Sequence, residues 1–267
     1  MARLDCGEGR SVYYEYHRGS ATPIVLIHGW AMSSRIWAGT IEALTAAGHG
    51  VIAIDHRGCG QSDRDFDDMS INALADDVVQ IVRKTTAAPV VLNGWSLGGA
   101  VAAQAAQALG DQAAGLVLTC GASPRFTKTE DFPYGGEAES LAASAAALAG
   151  DRAGFFRGLA SGVCAREVSP DMVNWMWAAF IDSGPNVIHS LLDLANVEQR
   201  ALLAELSIPV LSIVGAADAI LDPQVGMAAA KLARKGSLSS FEGCGHAPFI
   251  EDAPQYLSVL REFLATI

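Results

Sequence analysis

The chain alternates short, uniformly apolar runs with longer segments of helical character. Five runs rich in valine, isoleucine and leucine recur at Ile24–His28, Val51–Asp55, Val90–Asn93, Leu116–Cys120 and Pro209–Val214. They are too short for helices and lack the polar alternation of half-exposed strands, so they predict parallel strands buried on both faces. Ile71–Lys84, Leu97–Leu109, Pro223–Arg234 and Pro254–Ile267 have helix-forming composition, and Ser11–Tyr16 and Ser237–Phe241 read as additional strands. The alternation predicts an α/β fold with a mostly parallel central sheet flanked by helices, in which ligands bind beyond the carboxyl ends of the strands.

From residue 122 to residue 206 the rhythm stops. No convincing strand run occurs there, and the composition predicts several short helices, an inserted helical cap or lid carried by a core domain of residues 1–121 and 207–267. The insertion is rich in aromatic residues: Phe126, Phe132, Tyr134, Phe155, Phe156, Trp175, Trp177 and Phe180. Most of them read as packing between the insertion and the sheet. Phe126, Phe155, Phe156 and Trp177 are the candidates among them for a substrate pocket.

Composition narrows the function classes. With 267 residues and 51% apolar content the chain can bury a large core, and its formal charge of −11 repels phosphate backbones and anionic lipid surfaces. No run of lysine and arginine offsets that charge, so neither nucleic acid nor a membrane is expected as a partner. The first twenty residues carry no apolar core of signal-peptide length, and no stretch approaches the roughly 18 apolar residues of a membrane span. Five cysteines, at positions 6, 59, 120, 164 and 244, lack paired spacing and are odd in number, which points to a reducing, cytoplasmic environment. The sequence assigns no oligomeric state.

The chemistry centres on Gly94-Trp-Ser-Leu-Gly-Gly, which follows the run Val90-Val91-Leu92 and opens the alanine-rich helix that Gly110 can close. A serine on so sharp a strand-to-helix turn is held clear of both elements, and glycines at 94 and 98 remove the Cβ atoms that would collide. Ser96 is therefore the candidate nucleophile. A serine needs a base, and the base needs an orienting carboxylate. His246, in the loop Gly243-Cys-Gly-His-Ala-Pro, and Asp218, after the strand Val210–Val214, supply both. Asp222 is a rival acid four residues further on, but it precedes Pro223 and reads as a helix N-cap.

The backbone amides of Trp30 and Leu97 are the candidate oxyanion donors, one just beyond the strand Ile24–Ile27 and the other at the positive end of a helix. His28 reads as a hydrogen-bonding residue of the same loop at the edge of the pocket, and Trp30 and Trp95 as apolar pocket wall. The segment Asp55-His-Arg-Gly-Cys-Gly-Gln-Ser-Asp lacks the Gly-Lys-Ser/Thr ending of a phosphate loop and reads as an ordered turn in which Arg57 and Asp63 pair. No cluster has metal-ligand spacing, so no metal and no cofactor is expected.

Taken together, His28-Gly-Trp, Asp55-x-Arg-Gly-x-Gly-x-Ser62, Gly94-Trp-Ser-Leu-Gly-Gly, Gly215-x-x-Asp and Gly245-His resemble the α/β-hydrolase superfamily over nearly the whole chain. Ser123-Pro-Arg-Phe and His246-Ala-Pro-Phe-Ile look most like its pimeloyl-carrier-protein methyl ester esterase and carboxylesterase group. The resemblance implies a serine hydrolase of small to medium acyl esters with a Ser96, Asp218, His246 triad and an oxyanion hole at Trp30 and Leu97. It also implies docking of an acidic carrier protein on cap cations, here Arg125, Lys128, Arg152, Arg157 and Arg166, although acidic residues outnumber basic ones in that segment. The same machinery serves lactonases and enol-lactonases, carbon–carbon bond hydrolases and cofactor-free perhydrolases of haloperoxidase type. Dehalogenases and epoxide hydrolases carry an aspartate where this chain has Ser96. A slow-turnover ligand-sensing protein is the alternative outside enzymes.

Overall fold

A computed structural model describes residues 2–267. Its eight strands are β1 (Ala2–Asp5), β2 (Ser11–His17), β3 (Ala21–Ile27), β4 (His49–Ile54), β5 (Val90–Trp95), β6 (Ala113–Thr119), β7 (Val210–Gly215) and β8 (Gly236–Phe241). They form one sheet in the order β1-β2-β4-β3-β5-β6-β7-β8, antiparallel at β1 and β2 and parallel from β4 onward. Every residue of β5 and β7 is buried, as continuous apolar runs require when helices cover both faces. β8, the Ser-rich edge strand, is exposed over most of its length.

The helices are α1 (Ala38–Ala46), α2 (Ile71–Thr85), α3 (Leu97–Leu109), α4 (Ala138–Gly150), α5 (Arg152–Gly162), α6 (Pro170–Ile181), α7 (Val187–Leu194), α8 (Arg200–Glu205), α9 (Pro223–Leu232), α10 (Pro248–Glu251) and α11 (Ala253–Leu264). All eleven follow or precede strands in the α/β manner except α4 to α8, which lie between β6 and β7 with two isolated bridges, Thr127 to Gly136 and Thr129 to Phe132. Ser70 caps α2 by accepting from Ala73 N at 3.2 Å, and Asp252 caps α11 by accepting from Gln255 N at 3.3 Å. α3 is built of alanine and glycine on its sheet side, so it packs close against β5 and β6.

Three elements lie outside the sequence expectation. β1 is four residues with a single buried position, α1 follows a short 3-10 turn at Ser34–Trp37, and α10 is one turn long. No helix among the described residues is long and apolar enough to cross a membrane, and all five cysteines are free thiols.

The expected Arg57 to Asp63 pair does not form. Arg57 instead donates through Nε and Nη2 to Asp77 at 2.6 and 2.9 Å, while Asp63 accepts from Ser11 N at 2.7 Å and Ser11 Oγ at 2.9 Å. Asp77 sits on the buried face of α2, 3% exposed, where a carboxylate needs a fixed cation more than the half-exposed Asp63 does. Burial pushes the Asp77 carboxyl above its usual range even beside Arg57. Asp77→Asn should therefore cost about 3 kcal/mol in urea unfolding, against about 1 kcal/mol for Asp63→Asn.

Candidate active site

β5 runs into α3 through a single residue. Ser96 takes φ 56° and ψ −124°, a conformation that costs a non-glycine residue on the order of 1–3 kcal/mol. It is held there by Ser96 N donating to Thr119 O at 3.1 Å, and by Gly99 N and Ala122 N donating to Ser96 O at 2.8 Å each. A Cβ at Gly94 would fall on the Gly98 carbonyl, and one at Gly98 would lie 2.5 Å from the carbonyl oxygens of both Ile27 and His28. The turn therefore exists only where those two residues are glycine. Beneath it Asn93 Nδ2 donates to Tyr256 Oη at 2.8 Å and Thr119 Oγ1 donates to Asn93 Oδ1 at 2.9 Å, a closed polar set in the core.

Asp218 follows β7 and His246 follows β8, so both stand at the same end of the sheet as Ser96. Asp218 Oδ2 lies 2.7 Å from His246 Nδ1, with both side chains 3% exposed. Its Oδ1 accepts from Ile220 N at 2.9 Å and Leu221 N at 3.0 Å. Burial alone would raise the Asp218 carboxyl, but the adjoining His246 and these N–H donors outweigh it and hold the group below its ordinary value. An ionised Asp218 assigns the proton to His246 Nδ1 and leaves Nε2 to act as a base. The His246 main chain is pinned on both sides: its N–H donates to Val163 O at 2.8 Å and its carbonyl accepts from Trp95 Nε1 at 2.7 Å. Asp222 faces elsewhere and caps α9 through Gln224 N at 2.9 Å.

Ser96 and His246 line one cavity of about 220 Å³. No Ser96 Oγ to His246 hydrogen bond is formed among the described residues, and the two side chains meet through this shared space; such bonds commonly tighten only when a ligand is bound. Trp30 and Leu97 line the same cavity, and neither backbone N–H has a hydrogen-bond partner among the described residues. Two unpartnered donors beside a serine suit a developing oxyanion.

Of the residues expected in the pocket, Trp30, Trp95, Phe126 and Phe155 line the cavity and His28, Phe156 and Trp177 do not. His28 is fully buried behind the loop, donating from Nδ1 to Gly29 O at 2.7 Å and accepting from His56 N on Nε2 at 2.9 Å. Phe156 is fully buried behind the wall, stacked on Phe180 at 5.6 Å and packed against Trp30 at 5.7 Å. Trp177 donates to Ala153 O at 3.0 Å and is covered by the Arg157 guanidinium at 4.2 Å. Most of the remaining apolar wall comes from residues the sequence reading missed: Leu141 of α4, Leu159 of α5, Phe180 of α6, and Leu191 and Leu194 of α7, with Val163 and Ile220 beside them. Their only sequence signal is spacing of three or four along each helix, which marks a face without saying what the face meets. Among the described residues no Asp, Glu, Lys or Arg side chain lines the cavity, and Ser140 and Ser144 add hydroxyls to that of Ser96.

Cys120 also stands here: its thiol, the Asp218 carboxylate and a His246 nitrogen fall within 4.8 Å of one another. Burial first, and then the negative Asp218, raise the Cys120 thiol well above its usual range. A protonated thiol and an Asp–His pair already bonded to each other make a poor donor set for a metal ion.

A family model for the alpha/beta hydrolase fold matches residues 22–253. The chain is 31% identical over 252 residues to a pimeloyl-[acyl-carrier protein] methyl ester esterase of Stenotrophomonas maltophilia, covering 92% of this chain and 94% of the relative. The esterase RhEst1 from Rhodococcus sp. ECU1013 is similar in structure with a TM-score of 0.84 and 30% identity, covering 99% of this chain and 98% of that one. A bromoperoxidase from Bacillus anthracis superposes with a TM-score of 0.92 at 25% identity, covering 99% of each chain.

The buried imidazoles behind the site give it an acid limit. Burial lowers His28 to about 4 from an ordinary 6.5, and burial followed by His28 lowers His56 well below its usual value. Between those values the unfolded chain binds protons that the folded chain refuses, so stability is full above pH 6.5 and falls as pH drops toward 4. The urea midpoint should fall over that window, and His28→Asn should flatten the slope.

Proposed function

The chain belongs to the alpha/beta hydrolase fold family, and on that premise we propose that it is a serine carboxylic-ester hydrolase acting on small to medium, uncharged acyl esters. The observation that carries the reading is the 2.7 Å contact between buried Asp218 and His246, with His246 and Ser96 opening onto one apolar cavity. Ser96 Oγ attacks the ester carbonyl carbon while His246 Nε2 takes its proton. The carbonyl π pair moves onto oxygen, where the Trp30 and Leu97 N–H groups stabilise it. His246 then returns the proton to the leaving alkoxide, which departs as the alcohol and leaves an acyl-Ser96 ester. Water, deprotonated by His246, attacks that ester, and Ser96 leaves with the proton as the carboxylic acid is released.

The substrate class rests on the wall of the cavity. A charged acyl or alcohol group would be buried there without a counterion, at a cost of several kcal/mol, whereas an alkyl or aryl chain would replace water against Phe126, Leu141, Phe155 and Phe180. Residues 122–206 act as a cap on a core of 1–121 and 207–267, with the cap supplying the acyl wall and the core the reacting groups. Docking of a carrier protein on the cap is not part of the proposal. Arg125 bonds Glu198 at 2.7 Å, Lys128 bonds Glu137 at 2.6 Å, Arg166 bonds Asp252 at 2.9 Å, Arg157 bonds Asn174 at 2.7 Å and Arg152 bonds Ser183 Oγ at 2.8 Å.

Hydrolysis of p-nitrophenyl esters from acetate to decanoate tests the reading. Turnover should peak at a short or medium acyl chain, and Ser96→Ala should lower kcat about 10⁶-fold with the thermal melt unchanged, while His246→Ala should lower it as far and also destabilise the fold by leaving buried Asp218 without its partner. Asp218→Asn should lower turnover about 10,000-fold, while Asp222→Asn should leave turnover and stability near wild type, because asparagine caps a helix as well as aspartate, and Asp222→Ala should lower stability by about 1 kcal/mol. A phosphonate should add its mass to the wild type and not to Ser96→Ala; wild-type rates in Ser96→Ala would overturn the scheme.

A further inference from the structure

Glu251, at the end of α10, takes no part in the reaction as described, yet its carboxylate gathers four backbone N–H donors. Gly245 N reaches Oε1 at 2.8 Å and Oε2 at 3.0 Å, and Ala247 N reaches Oε1 at 3.3 Å. Ala165 N and Arg166 N each reach Oε2 at 2.8 Å. Gly245 and Ala247 flank His246, whereas Ala165 and Arg166 belong to the segment between α5 and α6 of the insertion. One carboxylate thus joins two pieces of chain about 80 residues apart in sequence.

The join is close on every side. A Cβ on Gly245 would lie 2.6 Å from Ala165 N, so the two main chains are in direct contact. His246 N donates to Val163 O at 2.8 Å, two residues before Ala165. Arg166 closes the outer face, donating to Asp252 Oδ2 at 2.9 Å, Glu242 O at 2.9 Å and Glu251 O at 3.3 Å. Peptide N–H groups in a loop this tight have no alternative acceptor, and hydrogen bonds to an ionised carboxylate are about twice as strong as neutral ones. Glu251 therefore holds the residues on both sides of His246, Gly245 and Ala247, while Val163 and Trp95 hold the main chain of His246 itself.

We propose that Glu251 is a positioning residue that locks the His246 loop to the α5–α6 segment, so that the base is aligned with Asp218 and Ser96 only while the insertion is seated. The proposal rests on the Ser96, His246, Asp218 reading. Glutamine is nearly isosteric but offers one acceptor oxygen and turns an amide N–H₂ toward peptide donors, so Glu251→Gln loosens the join without opening a cavity. Lifting the insertion breaks the same bonds in the intact protein, which ties an open cavity to a misaligned base.

The test compares wild type, Glu251→Gln and Glu251→Ala, with Ser96→Ala and His246→Ala as controls, by ester kinetics, phosphonate labelling rate, and hydrogen exchange of peptides spanning 163–167 and 244–248. Glu251→Gln should melt cooperatively, keep its KM, and lose about 100-fold in kcat, the scale of a 1 Å misplacement of a reacting group. Labelling should slow in parallel, and both peptides should exchange faster together. Full kcat and labelling in folded Glu251→Gln, or faster exchange in only one peptide, would overturn the proposal, and Glu251→Gln decides if Glu251→Ala does not fold. A wild type that neither turns over esters nor takes the label would instead sink the serine-hydrolase reading, while the paired exchange still tests the join.

Discussion

Two main chains touch where β5 turns into α3, and the geometry around the cavity follows from that contact. The Gly98 backbone lies against the Ile27 and His28 carbonyls, which brings the end of β3 and the first turn of α3 together with no side chain between them. Trp30 and Leu97 line the same cavity as that approach brings their segments together, and Ser96 takes up a strained conformation at the turn. The strain is offset by three backbone hydrogen bonds at Ser96 and by the burial of α3 along its length. Any Cβ at 94 or 98 would separate the elements and dissolve the arrangement as a whole, not just one contact in it.

The second requirement is a histidine held more firmly than its loop would suggest. His246 lies outside regular structure, yet Trp95 holds its carbonyl, Val163 its amide and Asp218 its ring. These partners come from the strand before Ser96, from the helical insertion and from the loop after β7. The histidine is therefore a node where the core and the insertion are both read, and the sheet alone does not define its place.

Much of this was legible in the sequence, for definite reasons. Strands buried on both faces leave apolar runs too short for helices and rich in valine and isoleucine, and Pro223 distinguishes the N-cap role of Asp222 from that of Asp218. The misses share a cause, which is that periodicity encodes a face and not its partner. Phe155 and Phe156 are neighbours with the same composition signal, but consecutive helical residues point about 100° apart, so one lines the cavity and the other stacks on Phe180. Arg57 had a near acid in sequence and chose a distant one because Asp77 is the more deeply buried. Glu251 carried no signal at all, since its partners are peptide groups that every residue possesses.

The ion pairs of the insertion have an effect at longer range than their contacts. With Arg125, Lys128, Arg166 and Arg200 each against a carboxylate, these cations are largely neutralised at close range, and the formal −11 of the chain is left to set the far field. Diffusional encounter then discriminates before any binding does: an anionic ligand approaches against a repulsive potential, and a neutral one does not feel it. That filter weakens as salt shortens the screening length to about 8 Å at physiological strength, so the same cavity meets a different mixture of ligands in dilute buffer and in a concentrated cell.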